Sequence, residues 1–126
     1  MKKTLLALCC STCLLTPVAF AGVGHDHGPK HGGIAREVGD VTYELVARAE
    51  TLTLYLFAGG KPLAAAGAKA EATVHAGSDK TTAMLAPAGD NRLVAPGSFK
   101  VGVGVRVAVS VTLPNKPEVK VNFRLK

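Results

Sequence analysis

Three of the four histidines of this chain fall within seven residues: His25, His27 and His31, with Asp26 between the first two. Neutral imidazole is the commonest protein ligand for borderline divalent ions, and Zn(II), Cu(II), Ni(II) and Co(II) all accept it. A His-x-His pair does not share one face of a helix. In a segment rich in Gly and Pro, however, both side chains can converge on one ion. His31 follows His27 by four positions, and Gly28-Pro29 permits the reversal that brings it back. Three imidazoles leave a fourth position for water, Asp26, a residue of the following domain or a partner protein. The glycines make closure around an ion entropically costly, so the expected site is labile and not a buried structural zinc. Soft Cu(I) or Ag(I) would prefer thioether or thiolate, and Met84 is the one methionine after Met1. The competing reading is a solvated His-rich linker, since His clusters are compositional signals. The fourth histidine, His75, alternates onto an outward face with Lys69, Glu71 and Thr73. It reads as a surface histidine, with completion of the metal site as the alternative role.

The elements that must carry these residues begin with an export signal. Met1-Lys2-Lys3 is a short basic start, Leu5 to Leu15 is an apolar run, Pro17 breaks it, and Ala19-Phe20-Ala21 supplies small residues at −3 and −1. That three-part build predicts a bacterial secretory signal peptide over residues 1–21, cleaved after Ala21, and a periplasmic product. A membrane anchor is disfavoured, because Pro17 and the Ala-x-Ala site sit where a span would continue, and no basic stop-transfer cluster follows. The chain has 126 residues, 3 Cys and a net charge of +6. Cleavage would remove Cys9, Cys10 and Cys13 together with Lys2 and Lys3. The exported form then has no disulfide or thiolate chemistry, and its basic balance carries no nucleic-acid implication outside the cytoplasm. With His25 at position four of the new chain, the square-planar Cu(II)/Ni(II) site of an amino-terminal His at position three is not formed.

Residues 22–33 are dominated by Gly and contain Pro29, which predicts a flexible His/Gly-rich leader. From Ile34 to Lys126 the hydrophobic period is two. Val41, Tyr43, Leu45 and Ala47 alternate with Thr42, Glu44 and Arg48, and Leu52, Leu54 and Leu56 alternate with Thr51, Thr53, Tyr55 and Phe57. Ala70, Ala72, Val74 and Ala76 form a third series. Val103 through Leu113 is the most regular, and Val119, Val121, Phe123 and Leu125 form the last. Such alternation gives one apolar and one wet face. Turn chemistry separates the runs at Gly59-Gly60-Lys61-Pro62, Gly77-Ser78-Asp79, Pro87 to Asn91, Ala95-Pro96-Gly97 and Pro114 to Pro117. The pattern predicts one all-β domain over residues 34–126, a small antiparallel β-sandwich or barrel of Ig-like kind. Its last two strands should form a hairpin.

Enzyme readings lack support. There is no Gly-x-Ser-x-Gly elbow, the carboxylates are scattered, and no Cys nucleophile survives cleavage. A blue-copper site is excluded on the same ground, because it needs a cysteine. Gly102 and Gly104 lie in a Val-rich run, not in a phosphate loop that opens a helix.

The segment His27-Gly28-Pro29-Lys30-His31-Gly32-Gly33, leading into Val41-Thr42-Tyr43-Glu44-Leu45-Val46, resembles a His-Gly-Pro-His-Gly-Gly stretch and its following β segment. That stretch is found in periplasmic proteins of heavy-metal efflux systems. They include the amino-terminal regions of RND-type adaptor subunits and small stand-alone relatives. Tyr43-Glu44, Leu52 to Phe57 and Gly60-Lys61-Pro62 follow in the order seen in that group, so the resemblance covers roughly residues 25–75. It implies periplasmic metal binding in resistance or homeostasis and carries over to His27 and His31, with His25 an addition typical of such leaders. Lys30 departs from the pattern: it separates Pro29 from His31 and puts a cation beside the ion. No segment resembles the coiled-coil hairpin or lipoyl-like part of a full adaptor.

The sequence thus predicts a non-enzymatic, periplasmic, divalent heavy-metal-binding protein, taking Zn or Cu(II) first and Ni or Co next. His25, His27 and His31 would be the ligands, with Asp26 and His75 as candidates to complete the set. The partners expected are the ion and a membrane metal-efflux complex, with no nucleic acid and no stable membrane anchor after cleavage. The alternative is a periplasmic β-sandwich that binds a protein or an envelope component, with the His-rich leader an inert tether.

Overall fold

The computed structural model describes residues 28–126. Residues 1–21, which the sequence predicts to be a signal peptide, and His25, Asp26 and His27 lie outside the described residues. Among the described residues nine strands follow one another without a helix: β1 Ile34–Val38, β2 Val41–Arg48, β3 Thr51–Ala58, β4 Lys61–Pro62, β5 Lys69–Ala76, β6 Asp79–Pro87, β7 Arg92–Pro96, β8 Arg106–Thr112 and β9 Val119–Arg124. The fold is all-β and antiparallel, as the period-two pattern predicts.

The strands form one continuous path in the order β1-β2-β3-β7-β6-β5-β8-β9, with the short β4 paired to β3. The two ends of this path meet. β1 and β9 run beside each other, and the Arg36 Nε–H donates to the Asn122 carbonyl at 3.2 Å across the seam. The sheet is therefore nearly closed into a barrel, which hides most strand edges. The β3–β4 connection is the two-residue Gly59-Gly60, with φ of 61° and 82°. Two positive φ values are what a type I′ hairpin needs, and only Gly adopts them without steric cost. The expected hairpin of the last two strands is present as β8–β9.

Alternation explains the core. Leu52, Leu54 and Leu56 of β3, Leu93 of β7, Ala70, Ala72 and Val74 of β5, and Val107, Val109 and Val111 of β8 all point inward. Tyr43 and Phe123 are the largest fully buried side chains. Full burial of each Leu, Val or Phe side chain contributes about 1.5–3 kcal/mol, so a barrel poor in aromatic residues is held by the number of aliphatic ones.

The structure departs from the expected pattern in two places. The regular Val run does not begin its strand at Val103: that residue sits in a turn before β8, next to Gly104 with φ of 88°, and is 87% exposed. Pairing begins one residue later, where the Gly104 N–H donates to the Leu125 carbonyl. More consequentially, β2 is covered on both faces from Val41 to Leu45. Thr42 and Glu44, which alternation assigns to the wet face, are buried, and Glu44 has no exposed surface.

Candidate metal centre

What covers Glu44 is the chain that precedes β1. The carboxylate accepts three backbone N–H groups: Lys30 on Oε1 at 2.9 Å, His31 on Oε2 at 2.7 Å and Gly33 on Oε2 at 2.9 Å. Hydrogen bonds to an ionised acceptor are shorter and stronger than neutral ones. Three successive donors on one carboxylate satisfy most of its lone pairs, which is what lets a charge be buried. Residues 30–33 are thus a strap fastened across the outer face of β2 and β3, where the sequence alone predicts a flexible leader.

The two glycines of the strap have separate jobs. Gly32 turns the chain with φ of 79°. Gly33 passes so close to β2 that an added Cβ would lie 2.2 Å from the Leu45 carbonyl oxygen. No side chain fits there, so the strap can approach Glu44 only with Gly at this position.

The strap fixes His31. Register places Glu44 opposite Tyr55 and Thr42 opposite Phe57, so the two rings flank the carboxylate on the outer face. The His31 imidazole stacks on the Tyr55 ring with centroids 3.7 Å apart and planes inclined by 12°, and the Phe57 ring lies 6.0 Å away. The Lys30 ammonium sits 5.8 Å from the centre of Phe57, within cation–π range. Stacking engages the face of an imidazole and leaves its nitrogen-bearing edge open. His31 is exposed, and among the described residues no hydrogen bond occupies its ring nitrogens. Within the described residues it is an oriented imidazole with an open nitrogen-bearing edge.

His75 is elsewhere. It lies exposed on β5, between Lys80 of β6 and Arg106 of β8 in register. The β5 strand is not a neighbour of β2 or β3 in the sheet. The structure therefore does not bring His75 to His31, and it surrounds His75 with cations. Met84 is on β6 and 64% exposed. Among the described residues no three His, Cys, Asp or Glu side chains gather as a metal-binding group.

Sequence reading missed Glu44 because a carboxylate at an alternating position looks like a wet-face residue. The available signal was the combination of Glu44 opposite Tyr55 with a Gly-Gly pair upstream: a buried acid needs donors, and a Gly-rich segment supplies bare backbone N–H groups. No family model, curated protein or solved structure matches this chain.

Proposed function

We propose that the chain is a periplasmic protein that captures or delivers a divalent heavy-metal ion, Zn or Cu(II) in preference to Ni or Co, in metal efflux or resistance. His25, His27 and His31 hold the ion, and Asp26 or water completes its coordination. The observation that carries this reading is the fixed His31: a strap, a buried carboxylate and an aromatic platform all serve to orient one imidazole whose nitrogen-bearing edge is open. An inert tether would not need such a mounting. His25 and His27 precede it by six and four residues, close enough along the chain to reach the same ion. His75 is not part of this set, because Lys80 and Arg106 beside it repel a divalent cation.

Calorimetric titration of the exported form with Zn(II) and Cu(II) tests the proposal. One ion per chain is expected, with binding lost when His25, His27 and His31 are all changed to Ala and retained in His75→Ala. Equal stoichiometry and affinity in the triple variant would overturn it and leave the β-barrel as an interaction module. Growth of a deletion strain on graded Zn, Cu, Ni and Co then reads the biology, with sensitivity to the bound metal expected.

A further inference from the structure

The half of the barrel built from β6, β5, β8 and β9 carries a straight row of cationic and titratable side chains. Lys80 is the register partner of His75, His75 of Arg106, and Arg106 of Arg124. Residues directly in register project from the same face, and all four are exposed. With neighbouring strands about 4.8 Å apart, the row runs about 14 Å across four strands. Arg36 of β1 extends it over the seam, anchored by its Nε–H to the Asn122 carbonyl. Arg36, His75, Arg106, Asn122 and Arg124 line one open cleft of about 460 Å³.

Like charges placed directly opposite on adjacent strands are destabilising. Among the described residues that line the cleft, none carries a negative charge to relieve them. The next row on the same face is Thr82, Thr73, Ala108 and Asn122, all uncharged. Asp79, the acid adjacent to Lys80 in the chain, is engaged by Lys100. An Arg106–Arg124 pair with a third arginine across the seam is a cost to the fold unless an anion is drawn between them.

We propose that this cleft binds a phosphate-type oxyanion, either free or as the phosphomonoester of a lipid headgroup. The guanidinium fork matches such oxygens two at a time, and several N–H donors converge here from three chain segments. A phosphomonoester carries about −1.5 to −2 charges and three strong acceptors, which suits three arginines better than a single carboxylate does. The site is independent of the metal reading, since it lies on other strands and repels cations.

Calorimetry of the exported form with inorganic phosphate, at ionic strength matched with sodium chloride, tests it. Flotation with phosphatidylcholine vesicles containing phosphatidic acid, against pure phosphatidylcholine, tests the second source. Saturable phosphate binding is expected, weakened ~10-fold or more in Arg106→Gln/Arg124→Gln by loss of charge-assisted hydrogen bonds. Arg36→Gln should weaken it less. The double variant should unfold at a higher urea concentration than the parent in phosphate-free buffer, because the repulsion is gone. Phosphate binding without vesicle binding supports a soluble ligand. Vesicle binding that the arginine changes abolish supports a headgroup. Absence of both, or binding that survives the double variant, overturns the proposal.

Discussion

Changing Glu44 to Gln keeps the size of the side chain and removes its charge, which isolates the carboxylate as the fastener of the strap. A carboxylate accepts at both oxygens; an amide accepts at one and presents N–H groups at the other. With the amide oxygen placed at Oε2, the His31 and Gly33 N–H groups keep a neutral acceptor, while the Lys30 N–H faces another donor. Hydrogen bonds to a charged group are worth about 1.5–3 kcal/mol net and neutral ones about 1 kcal/mol. One bond is then lost and two are downgraded, about 3–5 kcal/mol in all, offset by about 1–2 kcal/mol because a neutral amide is easier to bury than a carboxylate. The remaining penalty of about 1–4 kcal/mol falls on residues 30–33 alone, because the strap can lift into water while the barrel stays closed. Amide hydrogen exchange at His31 and Gly33 should therefore accelerate about 5- to 700-fold, with exchange in β3 and β8 unchanged. With no Trp and only Tyr43 and Tyr55 in the chain, tyrosine fluorescence should also change as His31 leaves Tyr55. On the proposed function, metal affinity falls in the same variant although no ligand has been touched. Unchanged exchange at both amides would refute the fastening role of Glu44.

Other consequences follow from the same geometry. Gly33→Ala drives a methyl group to 2.2 Å from the Leu45 carbonyl oxygen, so it should release the strap as Glu44→Gln does, read by the same two amides. Leu54→Ala, at a position with no exposed surface, should cost about 2–5 kcal/mol and lower the urea midpoint for the whole barrel. Burial, and secondarily the charge of Asp40, raise the pKa of Tyr43 above 10.0. The unfolded chain then loses this proton first, so the contribution of Tyr43 is intact below about pH 10 and declines as pH rises beyond it. Tyr43→Phe should flatten that part of the alkaline stability curve in urea titrations.

The barrel was legible because its strands are buried on one face and therefore alternate. Leu52, Leu54 and Leu56, or Val107, Val109 and Val111, could be placed from spacing alone. The pattern misled where a second layer or a turn intervened. Val103 continues the periodicity of the run that follows it but precedes the point where β8 finds its partners, and spacing carries no information about where pairing starts. Glu44 sits at a polar position of an alternating strand, yet it is buried by a segment eleven to fourteen residues upstream. Periodicity is local and the strap is not. His31 was identified by its type and its company, whereas its mounting on Tyr55 depends on the β2–β3 register. The basic row of β6, β5, β8 and β9 is legible only in part. His75 and Lys80 flank the Gly77-Ser78 turn, and Arg106 and Arg124 fall on the wet faces of the last two strands, but only three separate registers align all four.

The strap bears directly on how a Gly-rich segment could hold an ion at useful affinity. Ordering one residue of backbone costs about 1–2 kcal/mol, and the whole run from His25 to Gly33 would otherwise have to be ordered by metal coordination alone. Four of those residues, 30 to 33, are already held by Glu44 and by the close passage of Gly33 over β2. The entropic cost of placing the third imidazole is thus met when the barrel folds, by bonds that the ion does not make. On the proposed function, coordination would not have to order residues 30–33. That would raise affinity without enclosing the ion, since the edge of His31 is exposed for transfer. A leader fixed throughout would bind more tightly and release more slowly, and one fixed nowhere would capture poorly. If the proposed function holds, loosening the strap at Glu44 should weaken capture before it alters which metal is chosen.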